Sequence, residues 1–227
     1  NLTFNHNTLL NASYGIYVDD IDYFGYYMNH DSNGSTSFVM GSLEFNHNDI
    51  NSSDIGIYMY EYVFYTCAYD MYSSSSFVMD SITFNDNTIT SGSDGLYISD
   101  WYDLGYNMHD NASCTIDNVE FCRNDINASG DGMEFSYMPN YFGAYLYNDS
   151  SFVMGDILFN DNVINSSDIG IYCSSYLGYI GYQMYDNATC IMGDIAFNGN
   201  DINSRDGYGF YIGYIQSLGY DMYDNSS

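Results

Sequence analysis

Apolar and polar positions follow a short pattern that recurs six times along the chain. Each copy has an apolar residue two places before a Phe, and an Ile or Leu five places after it. Successive Phe residues are separated by 41, 39, 37, 38 and 38 residues. A fixed period in this range indicates a repeat architecture. The six Phe residues are Phe4, Phe45, Phe84, Phe121, Phe159 and Phe197.

An Asn stands three residues after the Phe in every copy. When identical residues return at one interval, successive units can stack in register, with each side chain about 4.8 Å from its counterpart. Stacked Asn side chains exchange amide hydrogen bonds, so we predict an Asn ladder beside the Phe ladder. The Asn residues are Asn7, Asn48, Asn87, Asn124, Asn162 and Asn200.

The second half of each unit carries a Gly, an apolar residue, a Tyr-rich stretch and a Met or Leu. The segment Gly181–Tyr185 alternates residue types at period two, and no segment keeps a 3.6-residue period over three turns, which argues against helix-pair repeats. We therefore predict an all-β parallel β-solenoid with uncapped ends. Each coil is expected to be a β-arch of two long strands in two facing sheets; a three-sheeted coil with the Asn ladder at an extra corner is the alternative.

The repeat predicts a single domain over residues 1–227. Its six units are expected to span residues 1–37, 38–76, 77–113, 114–151, 152–189 and 190–227. Six coils at about 4.8 Å give a stack roughly 29 Å long.

Composition narrows the choice of partners. The chain has 30 acidic residues, no Lys, two Arg and a net charge of −28. We therefore expect that it neither binds nucleic acid nor inserts into a membrane. The 28 Tyr and 14 Phe favour half-buried β surfaces. Cations are the natural counter-species of such a chain.

An Asp follows the first turn of five successive units. Stacked carboxylates about 4.8 Å apart repel by roughly 1 kcal/mol even in water, and Ca²⁺ prefers carboxylate and carbonyl oxygens. Calcium is thus the one cofactor candidate, and solvated turn residues are the alternative. The candidate metal ligands are Asp54, Asp94, Asp131, Asp168 and Asp206.

Asn-X-Ser/Thr sequons recur at two places in the repeat, both in predicted turns. This suits a glycosylated protein at the cell surface or outside the cell, although Asn and Ser are also ordinary turn residues. The candidate glycosylation sites are Asn11, Asn33, Asn51, Asn111, Asn127, Asn148, Asn165, Asn187 and Asn225.

Five Cys residues form neither a CxxC pair nor a zinc-type spacing. Two of them, Cys114 and Cys190, stand where other units have Phe. Buried apolar thiols and disulfides within or between chains both remain open.

The first and last units look like the internal ones, and the sequence has no Lys, terminal Pro or amphipathic helix to protect an edge strand. We therefore expect copies of the chain to associate head to tail, as heterologous contacts that form filaments or rings. Capping segments in a longer precursor are the alternative.

Uncapped Phe-Asn-X-Asn-X-Ile and Gly-Ile-Tyr rungs, with high Tyr and Asn content and acidity, resemble the amyloid-like sheath proteins of methanogenic archaea. The resemblance covers the whole chain and implies stacked β-arches that form rings or hoops around cells. The same rungs are similar to parallel β-helix repeats of surface proteins and polysaccharide-active enzymes.

The sequence thus predicts a structural polymer of an extracellular sheath or surface layer. A monomeric adhesin that stacks exposed Tyr rings on sugars is the alternative. We expect no enzymatic activity and name no catalytic residue, because paired carboxylates carry no specificity in so acidic a chain. His6 and His47 share an exposed, variable position two residues after the Phe.

Overall fold

The computed structural model describes residues 1–29 and 34–227, and the side chains of these residues except 174–177. It contains strands and turns, with no helix in the described ranges. All strand pairs are parallel, and each strand pairs with the equivalent strand of the next coil, as in Phe159 facing Phe197, 38 residues later. The predicted all-β parallel solenoid is confirmed.

The strands form four parallel sheets, which we number I to IV in the order in which the chain enters them. Sheet I contains Leu2–Thr3, Leu43–Glu44, Ile82–Thr83, Val119–Glu120, Ile157–Asn160 and Ile195–Asn198. Sheet II contains Thr8–Ala12, Asp49–Ser52, Thr88–Ser91, Asp125–Ala128, Val163–Ser166 and Asp201–Ser204. Sheet III contains Ile16–Val18, Ile57–Met59, Leu96–Ile98, Met133–Phe135, Ile171–Gly178 and Phe210–Gln216. Sheet IV contains Ser37–Met40, Ser76–Met79, Ser113–Ile116, Ser151–Met154 and Thr189–Met192.

The number of sheets corrects the expected two-sheet arch. In the last coil, the expected strand from Cys190 to Ile202 is divided among sheets IV, I and II, and a shorter strand in sheet III replaces the one expected from Gly207 to Tyr223. The bend between sheets I and II comes from a residue with positive φ just before each ladder Asn. Asp, Asn and His adopt this conformation more readily than most residues with a side chain. These bend residues are His6, His47, Asp86, Arg123, Asp161 and Gly199.

The Phe column forms the centre of the core. Neighbouring rings stack nearly parallel, with centroids 4.6–5.0 Å apart and interplanar angles of 2–11°. Leu43, Ile82, Val119 and Ile157 pack beside the rings and are buried, as are the Ile residues at the start of sheet II in the middle coils. Parallel stacking at this spacing buries each ring between its two neighbours, so an internal coil stabilises the coils on either side.

The Gly column lets adjacent coils approach closely at the start of sheet III. A Cβ atom added to Gly132 would lie 2.3 Å from the Ile164 Cγ2 atom and 2.4 Å from the Gly170 carbonyl oxygen. The same close contacts recur at Gly56 and Gly95. Any side chain here would force neighbouring coils apart, which explains why Gly returns in each of the first five units, where another coil follows.

Candidate functional site

The Asn residues after the bend form a continuous hydrogen-bonded ladder through the stack. The Nδ2 group of Asn87 donates to the Oδ1 atom of Asn124 at 3.0 Å, and the Asn87 backbone N–H donates to the same atom at 3.0 Å. The Asn87 Nδ2 group also donates to the carbonyl of Phe45 in the preceding coil. Asn124 repeats the arrangement with Asn162 and Phe84. Each internal amide therefore uses both its donors and both lone pairs, as a buried amide requires.

The Asn-to-Asn bonds have a direction, because every Asn but the last donates its backbone N–H to the Asn Oδ1 atom of the next coil. At its first rung, Asn7 donates to Asn48, while its own Oδ1 receives no hydrogen bond from the described residues. At its last rung, Asn200 accepts from Asn162 and donates from Nδ2 to Phe159, while its backbone N–H has no acceptor among the described residues. One end of the stack thus presents an unused acceptor, and the other end unused donors.

A second ladder runs on the outer side of the same corner, one residue after the Phe. Asn46 and Asn85 each donate their backbone N–H to the Asn Oδ1 atom of the preceding coil at 2.7 Å. The Cys122 N–H donates to the Asn85 Oδ1 atom in the same way. The ladder stops there, because the Cys122 side chain has no amide oxygen to accept a hydrogen bond from the next coil. The Asn160–Asn198 pair resumes it. This second Asn follows the Phe directly in five of the six units, and its ladder was not predicted.

Both ends of the stack expose residues of the apolar columns. Leu2 and Phe210 are each 40% exposed, whereas their counterparts Leu43 and Ile171 are fully buried. The last coil also bears an open apolar groove of about 350 Å³. Its lining is formed by Ile180, Ile195, Phe197, Phe210, Ile212, Ile215 and Leu218. Within the described ranges no helix covers either end.

Tyrosine covers the outer face of sheet III and the adjoining loops. The register aligns Tyr17, Tyr58 and Tyr97 in one outward column, in which Glu134 takes the place of Tyr in the fourth coil. Burial raises the pKa of Tyr58 to about 12, so its hydroxyl stays protonated at neutral pH. A second aromatic column, Tyr72, His109, Tyr147, Tyr185 and Tyr223, stacks with centroids 4.6–5.3 Å apart.

The five predicted Asp ligands do not share one register position. Counted from the aligned Gly column, Asp94 and Asp131 stand one residue before it, Asp54 and Asp168 two, and Asp206 three. The turns that lead from sheet II to Gly56, Gly95, Gly132 and Gly170 have equal length, so the Asp occupies different positions within them, and only the turn before Gly209 is one residue longer. Calcium binding by the five residues stays a prediction.

Two of the predicted ligands, Asp94 and Asp131, lie beside Glu134, which sequence analysis did not include. Carboxylate oxygens of the three residues lie within 4.8 Å of one another. Burial, followed by the charges of Asp94 and Asp131, raises the pKa of Glu134 to about 7. Asp94 accepts the backbone N–H of Asp131 at 2.8 Å, and Asp131 accepts that of Ile169 at 2.7 Å. These bonds offset part of the desolvation cost without a cation.

The sequons lie on two outward tracks. Asn11, Asn51, Asn127 and Asn165 are exposed on sheet II, while the turn before sheet IV exposes its sequons at a positive φ. The described members of this second track are Asn111, Asn148, Asn187 and Asn225. Asn33 lies outside the described residues. Their exposure is compatible with glycan attachment, which stays a prediction.

The cysteines are free thiols. Cys67, Cys114, Cys122 and Cys173 are buried, and Cys190 is half-buried. Burial raises the pKa of Cys67 to about 12, so this thiol is protonated and unreactive. Within the described residues the buried-thiol interpretation holds for four of the five cysteines, and a disulfide between chains stays an open alternative.

The part of the chain that the structure describes has no helix with the length and apolar character needed to span a membrane. Comparison with known protein families, with curated proteins and with solved structures finds no match to this chain.

Proposed function

We propose that this chain is a structural subunit that associates head to tail through its end coils. The last coil of one copy would take the first coil of the next as its neighbour, so that ladders and sheets continue across the junction. Such heterologous contacts propagate into a filament, or into a ring where the rotation closes. No catalytic step belongs to this proposal.

The open Asn ladder is the observation that carries the proposal. The backbone N–H of Asn200 needs an acceptor, and the Oδ1 atom of Asn7 can supply one. Copies stacked in the internal register would join the two residues through the bonds that link Asn162 to Asn200 within a chain. Within this ladder the donor end and the acceptor end fit each other but not themselves, and the second ladder, which donates in the opposite sense, would continue in the same head-to-tail arrangement. Both ladders therefore favour head-to-tail over head-to-head contacts.

The apolar columns support the same junction. Phe197 would stack on the next copy's Phe4 at a spacing like the 4.6 Å that separates Phe159 from Phe197. Burial of the exposed ends would gain about 25 cal/mol for each Å² of apolar surface, and would pair the free edges of the sheets. Charge opposes the contact, because each copy carries a net charge of −28. We therefore expect salt to promote association by screening this repulsion.

The finer assignment to a sheath or surface layer rests on the likeness to archaeal sheath proteins and on the sequons. The exposed sequons run along the sides of the stack, and those on internal coils, such as Asn51, Asn127 and Asn165, lie away from the junction. Glycans there would leave both end coils accessible.

A Gly-to-Ala change at the junction tests the proposal. In a single copy, a Cβ atom on Gly209 would lie 3.7 Å from Ile202, an ordinary contact. In an assembly with internal register, the same Cβ atom would clash with the next copy. The equivalent contact within one chain is that of a Cβ atom on Gly170, which would lie 2.5 Å from the Gly209 carbonyl oxygen. We expect Gly209→Ala to fold normally and to abolish association, measured by sedimentation and electron microscopy over a concentration series at raised salt.

Thr90→Ala is the matched control, because Thr90 is exposed on the side of an internal coil. This variant should assemble like the wild-type chain. Assembly of Gly209→Ala at the wild-type concentration would contradict the proposed junction, and so would a wild-type chain that stays monomeric throughout the series.

The alternative function, a sugar-binding surface module, is favoured by the Tyr-covered face. It does not require assembly, and a discrete monomer that binds saccharides would support it.

A further inference from the structure

A cleft interrupts the Tyr face, and it lies where the length of the repeat changes between the third and the fourth coil. The register pairs Ile98 with Phe135 and Tyr102 with Asn140, so the fourth coil uses one residue more than the third over this stretch. The additional residue leaves Tyr137 beside Tyr102, edge to face, with ring centroids 6.3 Å apart. The fifth coil keeps this additional residue, since Phe135 pairs with Cys173 and Asn140 with Gly178. A change in the length of the repeat is a place where function can differ from stacking.

The cleft is elongated along the stack. Its volume is about 470 Å³, within the usual range for small-molecule sites. Its Tyr walls come from four successive coils, from Tyr65 in the second to Tyr179 in the fifth. Three coil steps at about 4.8 Å give a length of roughly 14 Å. An extended chain of rings fits this shape better than a single compact ion does.

Two polar side chains of the cleft, Asn140 and Asp100, can form further hydrogen bonds. Asn140 is only 2% exposed, and its Oδ1 atom accepts no hydrogen bond from the described residues. Because a buried carbonyl oxygen without a donor is costly, a hydrogen bond from a ligand hydroxyl or a water in the cleft would lower the free energy. The Asp100 carboxylate adds a second acceptor in the lining.

The remaining lining residues are tyrosines, which offer both ring surfaces and hydroxyls. Burial raises the pKa values of Tyr65, Tyr102 and Tyr141, so their hydroxyls are neutral and can both donate and accept. Neither Lys nor Arg lines the cleft. A ligand here must offer apolar ring faces together with many hydroxyl groups, and must carry no negative charge.

We infer that this cleft binds a neutral oligosaccharide, with Tyr137 packing against a sugar ring and Asn140 bonding a sugar hydroxyl. This site goes beyond self-association and does not depend on it, because the cleft lies on the side of the internal coils. Acidic saccharides are excluded by Asp100 and by the charge of the whole chain.

Titration calorimetry with four trisaccharides, cellotriose, maltotriose, mannotriose and chitotriose, tests the inference in the wild-type chain. We expect at least one to bind at millimolar concentration or below, and to bind at least fivefold more tightly than its monosaccharide, because the cleft spans several rings. Tyr137→Ala should weaken that binding about fivefold through the lost ring contact. Asn140→Leu should weaken it by a similar factor.

Tyr60→Ala is the control, since Tyr60 is an exposed Tyr of an internal coil outside the cleft. It should bind as the wild type does, and near-ultraviolet circular dichroism establishes that each variant is folded. Absence of binding by all four trisaccharides would overturn the inference. Equal loss in Tyr60→Ala and Tyr137→Ala would overturn it too, as would binding of tetramethylammonium without any trisaccharide.

Discussion

The internal coils and the two end coils carry the same residue columns in different surroundings. Ile171 is fully buried, whereas Phe210, which follows it in the same column, is 40% exposed. Phe77 is fully buried and its counterpart Phe38 is 38% exposed. The residue type is hydrophobic in both places, so the neighbouring coil decides burial. A coil in this fold is therefore completed by whatever stacks on it, and the ends lack that contribution.

The Asn ladder gives the largest expected difference between an internal and an end position. Asn124→Leu removes the acceptor of two buried Asn87 donors and the donors to Phe84 and Asn162. We expect it to lower the free energy of unfolding by about 4 kcal/mol, because each orphaned buried group costs about 1–3 kcal/mol. Chemical denaturation measures this value.

Asn7→Leu is the matched end variant. Asn7 is exposed and accepts no bond through Oδ1 from the described residues. The loss should be about 1 kcal/mol or less. Similar losses for Asn124→Leu and Asn7→Leu would mean that the ladder does not stabilise the interior.

The Gly column allows internal and end coils to be compared by the steric effect of one added methyl group. Gly132→Ala places a Cβ atom 2.4 Å from the Gly170 carbonyl oxygen, and should cost about 2–3 kcal/mol through displaced backbone. In the unassembled chain, Gly209→Ala should change stability by less than about 0.5 kcal/mol. Thermal or chemical unfolding of both variants measures the difference, and an unperturbed Gly132→Ala would be inconsistent with the close approach of these coils.

At Asp103 we expect a smaller effect on the free energy of unfolding, and one that depends on pH. Burial raises its pKa to about 7, and its Oδ1 atom has no partner among the described residues. The folded chain thus keeps a proton that the unfolded chain loses near pH 4, so this contribution to stability is present below about pH 4 and is lost as the pH rises through 7. Asp103→Asn should therefore raise stability at pH 8 by about 2 kcal/mol and leave it nearly unchanged at pH 4.

Unfolding of Asp103→Asn at several pH values tests this sign. Asp149→Asn is the control, because Asp149 is exposed in the turn before sheet IV. An equal gain from both substitutions at pH 8 would point to reduced net charge and not to the buried carboxyl.

Calcium gives the smallest expected effect. At ten times its dissociation constant, a calcium ion bound only by the folded chain would add about 1.4 kcal/mol. If Asp94, Asp131 and Glu134 bind it, calcium should raise the melting temperature relative to EDTA, and Glu134→Gln should remove much of the increase. Identical melting curves of the wild-type chain in calcium and in EDTA would dismiss the metal site.

The sequence predicts the solenoid because stacking requires identical residues at equivalent positions. The Phe, Asn and Gly columns are visible for that reason, and the structure pairs their strands in register. The four-sheet coil is not visible, because its bend uses His47, Asp86 and Arg123 instead of a uniform Gly or Pro signal. The expected arch joined short strands across these bends.

The candidate sites were harder to predict, since they depend on departures from the repeat. The Asp residues occupy different positions within turns of mostly equal length, and Glu134 reaches Asp94 and Asp131 only because it replaces a Tyr in the outward column. The cleft at Asn140 arises from one additional residue that the fourth coil has relative to the third and that the fifth coil keeps. A periodic pattern contains no signal for such a change.

The most direct test of continued stacking is cryo-electron microscopy of the wild-type chain at a concentration and salt that favour association, at a resolution that separates the strands. We predict particles in which the rungs continue without interruption from one copy to the next, at about 4.8 Å, with the Asn200 N–H bonded to the next copy's Asn7. Particles that stay single at high concentration, or that touch only along their Tyr faces, would contradict the proposed junction.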